Sequence, residues 1–150
     1  AKDAAELRTL SRDLPESTRA DLARLPTLYG GRGVLAEARR ALTPSPLLHT
    51  ALDALQWLAD HVQGMQLSFD LSDLRGYAYY SGVRFAVFAR DARSPVADIA
   101  RGGRYDEVGA VFGRKRPAVG FSLDLKELVA AVAPRALAAA IRAPWGNDPG

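Results

Sequence analysis

The sequence predicts an α+β fold, and three observations lead there. Apolar residues recur at helical spacing through residues 1–63. From Met65 onward the pattern changes to alternation, with aromatic and β-branched residues gathered into short runs. Those runs follow one another across short turns with no crossover helix between them, which favours an antiparallel sheet. The expected organisation is a helical region over 1–63, an antiparallel sheet core backed by a helix over 64–133, and a tail over 134–150.

Taken in order, KDAAELRTLSR places Ala4 or Ala5, Leu7 and Leu10 at helical spacing. Pro15 suits the first turn of a second helix, PESTRADLARL, which Pro26 ends. Gly30, Gly31 and Gly33 precede a third, short helix, VLAEARRAL. The strongest helix runs from Pro46 to about Val62, with Ser45 as N-cap and Pro46 at the first helical position. Its stripe of Leu48, Leu52, Leu55, Leu58, Ala59 and Val62 fits the 3.6-residue period. Beyond Gly64, MQLSFDL alternates Met65, Leu67 and Phe69 as a strand. GYAYYSGVRFAVFAR reads as a longer strand, with Val83, Phe85 and Val87 on one face and Arg84 and Arg90 on the other. DARSP is a turn, PVADIARGG a third strand, PAVGFSLDL a fourth, and LKELVAAVA a helix that Pro134 stops.

At 150 residues the chain is long enough to bury a real core. Hydrophobic residues at 48% and charged residues at 25% are ordinary for a globular domain. No run of about 18 apolar residues exists, so no membrane-spanning helix is expected. The absence of cysteine removes disulfides and thiolate metal sites, and suits a cytoplasmic location. A net charge of +3, spread along the chain, argues against nucleic acid as a partner. The start without Met and the end on APWGNDPG lead us to expect a segment of a longer protein.

Several motifs are weak. GRGVLA (31–36) matches a dinucleotide pattern, but that chemistry needs a strand before the first glycine, and a proline-broken helix precedes it, so an interhelical turn is expected. His49 and His61 share one predicted helix without the i, i+4 spacing of a metal pair, and no metal or other cofactor is expected. Asp70 and Asp73 read as turn or capping groups. Arg114, Lys115 and Arg116 read as an exposed loop tip, with phosphate contact the sharper alternative.

Two stretches resist so plain an account. In LRGYAYYSGVRF, Arg75-Gly76 stands at a strand entrance, with Tyr79 and Tyr80 just inside. Adjacent strand residues face opposite ways, so one tyrosine is expected in the core and the other toward a cleft. Gly102-Gly103-Arg104-Tyr105 repeats the offer of bare backbone, a guanidinium and a phenol at a second strand end. An arginine forks a carboxylate, and a phenol donates to or accepts from a polar ring.

These two stretches resemble the signatures of histidyl-tRNA synthetases, roughly R-G-L-D-Y-Y-T-G-x-x-F and G-G-R-Y-D-x-L. PAVGFSLDLKEL is similar to the third class II synthetase motif, G-F-x-x-G-x-E-R-L, and stands in the right order. The match is strongest over residues 65–133. It implies a partial class II synthetase-like antiparallel sheet with a flanking helix, preceded by a helical insertion. By the same resemblance Arg75 contacts the substrate carboxylate, Tyr80 and Tyr105 bind the imidazole, and Tyr79, Gly102, Gly103 and Arg104 complete a histidine-binding group.

The departures are informative. The inner glycine of the third motif is Asp124, and its ATP-gripping arginine is Glu127. At about 4 Å and an effective dielectric near 20, a like-charge pair costs about 4 kcal/mol where an opposite pair gains as much. Adenylation needs cations against the polyphosphate, so it is expected to fail here. Leucine and aspartate of the first signature are also replaced, by Tyr77 and Ala78. A pocket kept with its ATP grip reversed resembles the family of regulatory subunits of ATP phosphoribosyltransferase. That resemblance implies a non-enzymatic role, a catalytic phosphoribosyltransferase subunit as partner, and L-histidine as feedback effector in histidine biosynthesis. A divergent synthetase that still activates histidine, and a scaffold binding the partner without ligand, remain the alternatives.

Overall fold

A computed structural model describes residues 4–76, 78–89 and 97–132. The chain falls into two compact units. One runs through the described residues up to Val83 and takes in Arg104–Ala118; the other comprises Arg84–Gly103 and the described residues from Val119.

The first unit is helical where the periodicity requires it. It contains α1 (Ala4–Leu10), α2 (Glu16–Arg24), α3 (Gly33–Ala41) and α4 (Pro46–His61). Ser45 caps α4 by accepting from Leu48 N–H at 3.2 Å, and Pro46 fills the first turn, where its missing N–H costs nothing. Leu52 and Ala59 of α4 are buried against Val34, Leu35 and Ala38 of α3, with Leu28 and Leu42 closing the core. Leu48, Leu55, Leu67, Phe69 and Leu71 pack around it. Each fully buried leucine of this kind contributes about 1.5–3 kcal/mol relative to exposure. Arg39 and Asp53 tie α3 to α4 with an ion pair at 2.5 Å. The apolar spacing of α1 does not become a buried stripe, since Leu10 stays 74% exposed.

Pro26 ends α2 as expected, inside a 3-10 turn over Leu25–Thr27. A two-residue strand follows, β1 (Tyr29–Gly30), paired antiparallel with β2 (Phe69–Asp70). The alternation in MQLSFDL therefore yields only the last part of the expected strand. Its ladder joins segments on either side of α3 and α4, which no local pattern announces.

The second unit is built on three strands in the order β3 (Arg84–Ala89), β4 (Ala97–Arg104), β5 (Val119–Leu123). β3 and β4 pair antiparallel from Arg84↔Gly103 to Ala89↔Ala97, and the register shifts between Val87 and Phe88. The extra residue of this bulge, Ile99, lies on β4, and on β3 Phe85 and Phe88 are both exposed, in place of the expected one-sided apolar face. The short helix α5 (Leu125–Ala131) follows β5, which is bonded to β4 through Asp124 N–H and Ile99 O at 2.8 Å. Arg90 and the expected turn DARSP, like Tyr77 and the expected tail over 134–150, lie outside the described residues.

Candidate functional site

The strand expected to start near Gly76 begins only at Arg84; Arg75, Gly76, Ala78 and Tyr79 lie in turns and Ser81 and Gly82 in a bend. Gly76 dictates this. Its φ of 72° is the left-handed conformation that a side chain disfavours, and its carbonyl accepts from both Tyr79 N–H (2.9 Å) and Tyr80 N–H (3.0 Å). The aromatic run is thereby folded back, and the two tyrosines do not point to opposite faces. Their rings meet edge to face with centroids 5.1 Å apart. Tyr79 also contacts Tyr105, again at 5.1 Å and tilted by 34°. Tyr80 and Tyr105 are thus linked through Tyr79, in a cluster of three phenols.

Short backbone bonds hold that cluster in place. Ser81 N–H donates to Arg104 O at 2.9 Å, Arg104 N–H to Val83 O at 3.0 Å, and Tyr105 N–H to Ala118 O at 2.9 Å. Gly82 also lets this packing be close, since a Cβ there would lie 3.0 Å from Arg104 Cδ and the arginine side chain would have to shift.

Both arginines of the cluster are engaged by carboxylates two residues away. Arg75 forks Asp73, with Nε to Oδ1 at 2.9 Å and Nη2 to Oδ2 at 2.7 Å. Arg104 Nε donates to both oxygens of Asp106, at 3.0 and 2.7 Å. Sequence reasoning took Asp73 for a turn group, which it also is, since Oδ1 accepts from Arg75 N–H at 3.1 Å. It gave Asp106 no role. The signal was present in both cases, as an aspartate at i−2 or i+2 of an arginine near a turn. Asp106 makes further contacts: Oδ1 also accepts from Ala118 N–H at 3.1 Å, and its own N–H donates to Ser81 Oγ at 2.8 Å. Burial pushes the Asp106 carboxyl up. Bonds from the Ala118 N–H, the Arg104 guanidinium and Ser81 outweigh that and hold it below the ordinary aspartate value.

In the other unit, Gly102 and Gly103 are buried on β4, paired with Phe85 and Arg84. A Cβ on Gly102 would collide with Gly120 O and lie 2.6 Å from Phe121 Cβ, so close strand packing alone demands glycine there. Asp124 is the N-cap of α5, its Oδ1 accepting from Lys126 N–H at 3.0 Å and Glu127 N–H at 3.1 Å. A carboxylate therefore occupies the free amides at this helix start, with the half-buried Glu127 in the first turn.

The weaker motifs resolve simply. A short strand does precede the GRGVLA glycines, but β1 pairs antiparallel with β2, which is not the strand-helix-strand unit of a dinucleotide site. His49 and His61 are both exposed on α4; His61 stacks on Trp57 at 4.0 Å and bonds its carbonyl at 2.7 Å. Among the described residues no group of three potential metal ligands forms. Asp70 closes a turn by accepting from Ser72 N–H and Oγ. Arg114, Lys115 and Arg116 are exposed, and Lys115 pairs with Glu107 at 2.7 Å.

The family model described as histidyl-tRNA synthetase matches residues 1–128. The chain belongs to the histidyl-tRNA synthetase family. Within it, the chain is similar to proteins named ATP phosphoribosyltransferase regulatory subunit. It is 56% identical to that of Verminephrobacter eiseniae over 147 residues, covering 98% of this chain and 38% of the relative. Against the relative from Albidiferax ferrireducens, identity is 55% over 145 residues, or 97% of this chain and 37% of that protein. The chain thus spans under two fifths of the length of these curated relatives. A solved structure, of an ATP phosphoribosyltransferase regulatory subunit/histidyl-tRNA synthetase from Bacillus halodurans C, matches with a TM-score of 0.68 at 29% identity. The match covers 85% of this chain and 33% of that one. The α+β architecture with its antiparallel sheet is accordingly that of the synthetase family.

Proposed function

We propose that this chain is part of a non-catalytic regulatory subunit of ATP phosphoribosyltransferase, acting with a separate catalytic subunit at the first step of histidine biosynthesis. The observation that carries this reading is the identity of 51–56% to relatives of that name across nearly the whole chain. The capped start of α5 supports it. Asp124 takes up the Lys126 and Glu127 amides, and Glu127 adds a second carboxylate where a polyphosphate would need cations.

In the same reading, L-histidine is the effector. Tyr80 and Tyr105 offer phenols to its imidazole, with Tyr79 as the ring between them. The α-carboxylate of the ligand takes the Arg75 fork by exchanging with Asp73, and the released aspartate is a partner for the ligand's ammonium. Occupancy then favours one conformer of the assembly over another, which is what a feedback signal requires.

The test uses the full protein with its catalytic partner. Addition of the protein should switch on phosphoribosyl transfer by the catalytic subunit, and L-histidine should suppress it, with saturable histidine binding by calorimetry. Pyrophosphate exchange with histidine and ATP should be absent; its presence would identify an active synthetase instead. Co-purification without any histidine binding would leave a scaffold.

A further inference from the structure

We propose that Asp106 is the positioning residue of this site: it holds Arg104 and Tyr105 in the geometry in which the three phenols face a ligand. The proposal rests on the histidine-binding reading above and extends it to a residue that touches no ligand.

Three segments meet at this one residue. Oδ1 accepts from Ala118 N–H at the entry to β5, both oxygens accept from Arg104 Nε at the end of β4, and the backbone N–H donates to Ser81 Oγ in the turn that follows Tyr80. Tyr105 lies between Arg104 and Asp106, with its own N–H on Ala118 O. Its ring therefore has both neighbours fixed, and Tyr79 rests against that ring. The bond from Ala118 N–H pins backbone, and a charge-neutral acceptor could partly replace it. The bond to Arg104 is charge-assisted and needs the carboxylate. The Asp106 side chain is only 25% exposed, so water substitutes poorly for the lost partners.

The experiment compares Asp106→Ala and Asp106→Asn with wild type in the full protein. Two readouts are taken: L-histidine titration, and fluorine NMR of protein labelled with 3-fluorotyrosine, assigned through Tyr79→Phe and Tyr105→Phe. Asp106→Ala should weaken histidine binding about tenfold or more and move the Tyr79 and Tyr105 resonances while that of Tyr29 stays. Asp106→Asn should fall between, since its amide oxygen still accepts from Ala118 N–H. A variant that melts earlier yet keeps the wild-type affinity and both tyrosine resonances would overturn the proposal, leaving Asp106 a purely structural residue. Should Asp106→Ala fail to fold, Asp106→Asn decides by the same two readouts. If wild type binds no histidine, the effector reading fails, and the fluorine resonances alone then decide whether Asp106 positions the phenols.

Discussion

The Asp124 carboxylate accepts a hydrogen bond from the Glu127 N–H at 3.1 Å, so these two acidic residues are joined in one helix cap. Removing that cap should cost stability irrespective of any ligand. Asp124→Ala is expected to destabilise by about 1 kcal/mol in denaturant unfolding, and Asp124→Asn by much less, because asparagine caps nearly as well. Equal losses for the two variants would show that charge, not capping, is what matters there.

Gly76 makes a second prediction. Alanine would have to adopt φ 72° and place a Cβ 3.0 Å from Tyr80 Cδ2 and Cε2. The left-handed conformation alone costs about 1–2 kcal/mol. Gly76→Ala should therefore lower the melting temperature and displace the Tyr80 ring, which a tyrosine-resolved spectrum would detect. An unshifted Tyr80 would mean that the turn relaxes without disturbing the phenols.

Leu52 tests the helical core. It is 2% exposed and lies in the cluster with Leu28 and Leu35. Leu52→Ala should cost about 2–5 kcal/mol, and Leu47→Ala, on the same helix at 84% exposure, close to nothing. Circular dichroism during chemical unfolding compares them directly.

Asp106 should leave a signature in the acid limb of stability. Its carboxyl is held below the usual 3.8. A lowered folded-state value stabilises above the unfolded pKa, near 3.9, and that contribution is lost as pH falls through the folded value. The stability difference between wild type and Asp106→Asn should be constant above about pH 5 and shrink below pH 4. A difference that grows on acidification would contradict the assignment.

Much of the architecture was legible because its causes are local. Ser45, Pro46 and the leucine period state α4 outright, and the order of strands and α5 follows from their apolar runs. The turn at Gly76 was not legible. Two adjacent tyrosines carry strong strand preference, and only the left-handed Gly76 and its doubly bonded carbonyl override it. Pairing of Tyr29 with Asp70, and the register shift at Val87, are non-local and leave no mark in a short window. The candidate residues Arg75, Tyr80 and Tyr105 stood out by residue type. The aspartates that restrain both arginines did not, because a turn aspartate and a guanidinium partner look alike in sequence. Gly102 was read for ligand access, while the closeness of Phe121 gives it a packing reason that sequence could not reveal.

The two arginine–aspartate pairs also set what kind of molecule this surface can welcome. Asp73 against Arg75 and Asp106 against Arg104 sum to zero formal charge, with the opposite signs only a side chain apart. A polyanion approaching these two pairs meets no net attraction from them, and a phosphate that takes either guanidinium must displace its aspartate. A zwitterion meets no net repulsion, since each of its ends can take the place of the matching internal ion. Association should consequently change little with ionic strength, unlike the steep salt dependence of sites that gather phosphates by excess positive charge.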